Sequence, residues 1–173
     1  MIRKGTLQDI DQVEDSYTEL LLHEQKYGAY TIWKLGVYPT RATVEKALAK
    51  DALYVLEQDG EICANIVANQ VQPEEYGKIQ WKYQALPEEV FVVHVLCVRP
   101  SKTRCGFGKD IMQFAIEEAK SRNCKAVRLD TGSQNKPAIA LYTKLGFELA
   151  GAAAMDVGGL ITHNDHLFYE LRL

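Results

Sequence analysis

Val90-Phe91-Val92-Val93-His94-Val95-Leu96-Cys97-Val98-Arg99-Pro100-Ser101-Lys102-Thr103-Arg104-Cys105-Gly106-Phe107-Gly108-Lys109 opens as a β-prone run and closes on a basic, glycine-bearing turn. A near-continuous apolar run of this length is the pattern of a strand buried on both faces. Arg99-Pro100 stops it, because proline cannot donate to a ladder. Beyond the turn, Ile111, Met112, Ala115, Ile116 and Ala119 recur at helical spacing and predict a helix ending near Asn123. Ala126-Val127-Arg128-Leu129 reads as a further strand. A strand–loop–helix–strand unit implies a parallel crossover, and such a unit gathers ligands in the loop at the carboxyl end of its first strand.

Working outward, Thr6 and Asp9 make a helix start, and Ile10, Val13, Tyr17, Leu20 and Leu21 predict an amphipathic helix over about 7–25. Tyr27 to Pro39 is aromatic and irregular, and a shorter helix begins at Thr40. Leu53–Leu56 and Ile62–Ala68 flank Asp59-Gly60, whose positive φ angles suit a hairpin. Residues 71–88 are a polar connection with aromatic anchors. Ala138, Leu141, Tyr142 and Leu145 mark a last helix, stopped by Gly146, and strands are expected near 147–155 and 166–173. The sum is a mixed sheet covered by helices, of the α/β or α+β kind.

The 173 residues suit one domain, 1–173, and 47% apolar against 25% charged residues is the balance of a globular chain with a real core. A formal charge of −3 gives no global attraction to nucleic acid or anionic membrane. No apolar run reaches the roughly 20 residues of a membrane span, and Met1-Ile2-Arg3-Lys4-Gly5 is unlike a signal peptide, so a cytoplasmic location is expected. The four cysteines, Cys63, Cys97, Cys105 and Cys124, form no CxxC pair and read as reduced thiols. No metal constellation is expected. His163 and His166 fall in a Gly/Asn/Asp-rich stretch and read as solvated turn residues.

Arg104-Cys105-Gly106-Phe107-Gly108-Lys109 has the chemistry of a pyrophosphate cradle. Glycines admit close backbone approach, and the N–H groups and dipole of the following helix favour an anion. It is neither a Walker loop, since Asp110 follows Lys109, nor a dinucleotide fingerprint, since position 111 is Ile.

A second segment, Asn135-Lys136-Pro137-Ala138-Ile139-Ala140-Leu141-Tyr142-Thr143-Lys144-Leu145-Gly146-Phe147, completes the pattern. Together the two resemble the GNAT superfamily of N-acetyltransferases: its loop Q/R-x-x-G-x-G/A and its late signature N-x-x-A-x-x-L-Y-x-K-x-G-F. The resemblance implies a mixed, mostly antiparallel central sheet with splayed central strands, and acetyl-coenzyme A as donor. The family's Gln or Arg position falls on Thr103, with Arg104 next to it. A main-chain cradle does not depend on that side chain, and Arg104 and Lys102 are both candidates for the contact.

By the same resemblance, the main chain of Leu96, Cys97 and Val98 would lie beside the pantetheine arm and polarise the acetyl carbonyl. Arg104 to Lys109 would hold the pyrophosphate, and Asn135 and Lys144 would contact the cofactor from the other side. Tyr142 would give a proton to the departing thiolate, as a phenol protonated at neutral pH can. The strand position of the glutamate used by many relatives is Val92 here, and His94, two residues on, is the candidate base. Asp130, Glu24 and a chain of waters are alternatives to it. Tyr27, Tyr30, Trp33 and Tyr38 are either an acceptor wall or packing for a long loop. The expected acceptor is a primary amine of a small molecule or peptide. A protein N-terminus, a longer acyl chain, or a non-catalytic acyl-coenzyme A-binding module are the other readings, and a homodimer is a common arrangement among similar proteins.

Overall fold

The computed structural model describes residues Met1–Leu173. A seven-stranded sheet carries the chain in the order β1-β2-β3-β4-β5-β7-β6, with strands β1 (Ile2–Lys4), β2 (Leu53–Gln58), β3 (Glu61–Asn69), β4 (Val90–Val98), β5 (Ala126–Gly132), β6 (Glu148–Val157) and β7 (Ile161–Arg172). Helices α1 (Ile10–Tyr27) and α2 (Arg41–Ala49) cover one face, and α3 (Phe107–Ser121) and α4 (Lys136–Lys144) the other. All neighbouring strands are antiparallel except β4 and β5. This is the mixed, mostly antiparallel sheet expected.

Three boundaries differ from the sequence reading. β1 was not anticipated: three residues are too few for a pattern, and pairing with β2 alone defines them. The first helix begins at Ile10, because Asp9 is bound by the Thr6 N–H at 2.7 Å and by Arg3 at 2.7 and 2.8 Å, which holds 7–9 in a tighter turn. β7 begins at Ile161, so His163 and His166 are strand residues and His166 is buried, a correction to the solvated-turn reading. The polar run Thr162–Asp165 resembles a turn only because much of this long hairpin arm faces water. The turn itself is Gly158-Gly159, both at positive φ.

The β4–β5 pairing fixes the site. It runs only from Val90↔Ala126 to Val93↔Leu129. β4 stays paired with β3 as far as Val98, and β5 with β7 as far as Gly132. Beyond Val93 and Leu129 the two central strands therefore diverge, and the β5-facing main chain of 94–98 has no strand partner.

At the divergence, the β3–β4 register shifts: Val67 pairs with Val95 and Ala68 with Val93, leaving His94 as an extra residue on β4. Such a bulge breaks the two-residue alternation. Phe91, Val93, Leu96 and Val98 pack toward α3 and α4, whereas Val90, Val92, Val95 and Cys97 pack on the opposite face. Residues 71–88 are held by Tyr76 and Trp81, which pack on Phe168, with Arg128 4.2 Å over the Trp81 ring.

Candidate active site

A cavity of about 500 Å³ follows the gap between β4 and β5. One end is the turn after β4. Arg104 and Gly106 have positive φ, 66° and 86°, and Gly106 precedes α3 with no side-chain cap. No main-chain N–H from Arg104 to Lys109 donates to another protein group, the state of a helix start built for an anion. A Cβ at Gly108 would make ordinary contact, 3.4 Å from Val98 Cγ2 and 3.5 Å from Leu141 Cδ2, whereas a longer side chain would have to enter the turn. These groups fit a diphosphate: free main-chain donors, glycines at 106 and 108, and two cations, Arg104 and Lys109, that make no ion pair.

Of the two candidates for the side-chain contact, Lys102 is engaged by Glu61 at 2.6 Å, and the Thr103 hydroxyl donates to Pro100 O at 2.9 Å. Arg104 lines the cavity and its side chain has no protein partner. Phe107 lines the cavity with Gly106 and Gly108, whereas the Cys105 side chain is exposed outside it.

The middle of the cavity is walled by Leu96 and Val98 from β4 and by Asn135, Ala138, Leu141 and Tyr142 from α4. Asn135 caps α4, accepting from Ala138 N at 3.4 Å, and Pro137 sits in the first turn, where its missing N–H costs nothing. Tyr142 is buried between Phe147 and Tyr169, ring centroids 5.9 and 6.2 Å away, and its hydroxyl has no protein partner. Burial and the nearby Asp130 carboxylate push its pKa well above the ordinary phenol value, so the hydroxyl keeps its proton.

The side chains of two residues named from the sequence do not line the cavity. The Cys97 side chain faces α1, its Sγ 3.6 Å from Ser16 O, and burial pushes the thiol up to about 12; the expectation for this residue concerned its main chain alone. Lys144 is exposed on α4 outside the cavity.

Across the gap, side chains replace main chain. His94 lines this cavity and a second one, of about 330 Å³, bounded by α2 and the β6–β7 hairpin; Asp130 borders both. His94 Nε2 is 2.9 Å from Asn69 Oδ1, which also accepts from Val71 N at 2.9 Å. An oxygen already accepting can only accept again, so Nε2 carries the hydrogen and Nδ1 the lone pair. Burial lowers the His94 pKa to about 4, and the imidazole is neutral at pH 7.

The sequence offers Asp130 as one alternative base and gives no sign of its partner, His166. The register pairs Gly132 with His166, and His166 Nδ1 lies 2.8 Å from Asp130 Oδ2. Tyr76 donates to Asp130 Oδ1 at 2.8 Å. Only strand pairing joins residues so far apart in sequence, so no local signal marks them. Glu24 is buried at the C-terminal end of α1, accepting from Tyr30 N and Thr31 N at 3.1 Å and Thr31 Oγ at 2.6 Å. It shapes the α1–α2 connection. That connection divides the aromatic residues: Trp33 and Tyr38 pack edge to face, 6.2 Å apart, Tyr30 and Trp33 border the cavity, and Tyr27 is exposed.

No group of three or more His, Cys, Asp or Glu is arranged to hold a metal ion, and no helix is long and apolar enough to cross a membrane.

Comparison with known proteins bears on the family and the fold. The model of the acetyltransferase (GNAT) family matches residues 14–147. An N-alpha-acetyltransferase of Sulfurisphaera tokodaii is 30% identical over 153 residues, 85% of this chain and 79% of that protein. The uncharacterized N-acetyltransferase YvbK of Bacillus subtilis is 31% identical over 84 residues, 49% of this chain and 52% of the relative, so that match spans about half its length. Among solved structures, an acetyltransferase from Staphylococcus aureus Mu50 superposes with a TM-score of 0.73 at 28% identity, over 99% of this chain and 98% of the other. YncA of Salmonella typhimurium, solved with its cofactor acetyl-CoA, shares the fold with a TM-score of 0.71 at 18% identity, over 100% and 93%.

Proposed function

The chain belongs to the acetyltransferase (GNAT) family, and from that premise we propose that residues 1–173 act as one catalytic domain that transfers the acetyl group of acetyl-coenzyme A directly to a primary amine of a small molecule or peptide. The observation that carries this reading is the break in β4–β5 pairing after Val93, which leaves a gap with unpaired main-chain donors at one end and titratable side chains on one face.

Acetyl-coenzyme A supplies the activated acyl group. Arg104 to Lys109 bind its diphosphate through main-chain N–H groups and two cations. The β5-facing N–H groups of Leu96 to Val98 orient the acetyl carbonyl and hold negative charge as it forms on oxygen, where one donor is worth about 3–4 kcal/mol. Tyr142, protonated and without a protein partner, donates its hydrogen to the departing sulfur. His94 meets the amine on the other face. Its Nδ1 lone pair accepts a hydrogen bond from the amine and orients it, and a pKa of about 4 keeps that lone pair free at pH 7.

A protein N-terminus is the second acceptor reading. It is favoured by the N-alpha-acetyltransferase relative, which aligns over most of both chains. Thiol release from acetyl-coenzyme A, measured across small amines and short peptides with free N-termini, tests the proposal and separates the two acceptors. Release with no amine at all, despite binding of the thioester, contradicts catalysis and leaves an acyl-coenzyme A-binding module.

A further inference from the structure

The buried pair Asp130–His166 has no part in the chemistry above, yet it borders the same cavity. Asp130 accepts at both oxygens, from Tyr76 at 2.8 Å and from His166 Nδ1 at 2.8 Å. The carboxylate fixes the imidazole as the Nδ1–H tautomer and leaves the lone pair on Nε2. Nε2 is buried and has no partner, although His166 is only 3% exposed. A buried polar atom without a partner is costly unless something outside the protein's own hydrogen bonds uses it.

We propose that His166, oriented by Asp130, takes the proton that the amine must lose before it attacks, an assignment that rests on the acetylation proposed above. His94 and His166 differ in what stands beside them. His94 Nε2 faces the Asn69 amide oxygen, whereas His166 Nδ1 faces the Asp130 carboxylate. The alkylammonium gives one proton to Nε2, whose lone pair forms the new N–H bond. The free amine then forms the C–N bond at the acetyl carbon, and the C–S bond breaks. Tyr142 protonates the sulfur and recovers a hydrogen from the nitrogen. One proton thus ends on the thiol and one on His166, which releases it to water.

The exit runs along β7. His163 stands beside His166, ring centroids 4.8 Å apart, and its Nδ1 is likewise buried without a partner. An extra β7 residue between the Ala153↔His166 and Met155↔His163 pairs brings the two rings to one face. The ionisable groups around the Asp130–His166 pair are Tyr76 of the 74–78 turn, Tyr38 of the α1–α2 connection, His163 and Asp165 of β7, His94 of β4 and Tyr142 of α4.

The test is the pH–rate profile for thiol release with an accepted amine, for the wild type and for His166→Gln, Asp130→Asn and His163→Gln. His166→Gln is expected to lower kcat by about 100-fold and remove the acid limb of the profile, with acetyl-coenzyme A affinity unchanged. Asp130→Asn should move that limb to lower pH, since the imidazolium loses its counter-charge. His163→Gln should lower kcat mildly, with rescue by added imidazole. Should His166→Gln fail to fold, the Asp130→Asn limb shift and the ¹⁵N shifts of wild-type His166, expected to show Nδ1–H, decide instead. A wild-type acid limb in His166→Gln or in Asp130→Asn, or an Nε2–H tautomer, overturns the assignment of His166 alone. A wild type that releases no thiol with any amine overturns the acetylation reading, and this inference with it.

Discussion

On the α3–α4 side of the gap the ligand-facing polar groups are mostly main chain, the N–H groups of Arg104 to Lys109 and the open edge of β4. On the other side they are side chains, His94, Asp130 and His166, brought together from three strands. Main-chain recognition requires glycine where the chain must turn or approach closely, so it leaves a local mark in sequence. Side-chain recognition across paired strands leaves none, because register decides which residues meet. The main-chain half of the gap is therefore legible in local sequence, and the side-chain half is legible only in the folded sheet.

Substitutions can break this contrast, beginning with the largest effect. Alanine fits at Gly108, where a Cβ makes ordinary contact, but the branches of leucine would enter the cradle. Gly108→Leu is expected to weaken acetyl-coenzyme A binding by about 100-fold or more, about 3 kcal/mol, in a calorimetric titration, while the fold persists by circular dichroism. Tyr142→Phe should leave that affinity intact and lower kcat by about 100-fold. Equal losses in kcat and in binding would make Tyr142 a packing residue of the donor half.

Acid stability sharpens the contrast from the other side. The His94 pKa is lowered to about 4 by burial, below the 6.5 of the free side chain. Between these values the unfolded chain binds more protons than the folded one, so stability must fall as pH drops from 6.5 toward 4. Replacement by an uncharged residue of similar shape, His94→Asn, should flatten that portion of a urea-unfolding pH series by about 2 kcal/mol. The smallest effect belongs to Arg104, an exposed cation at the mouth of the cradle. Arg104→Ala should weaken acetyl-coenzyme A about fivefold, and less at high salt, because screened surface charges contribute little.

How much was legible follows the same division. The buried run 90–98, the turn after it and the Asn135–Phe147 helix were read at nearly their observed places, since periodicity and glycine carry them. The gap itself was expected only through family resemblance: nothing in Val93 or Leu129 announces that pairing stops there. The bulge at His94 was not foreseen, although it is what places two consecutive residues, His94 and Val95, off the regular alternation. His166 was misplaced because Thr162–Asp165 is as polar as a turn, and its partner Asp130 was only one of several alternatives. Lys144 followed the motif, yet its exposed position outside the cavity depends on how α4 docks, which a motif does not encode.

Isothermal titration of acetyl-coenzyme A into the wild type and Gly108→Leu bears most directly on the cradle and gap. Saturable binding at one site per chain in the wild type, lost or weakened by about 100-fold in the variant, is the predicted result. No detectable binding by the wild type, or equal affinity in both proteins, would contradict the account.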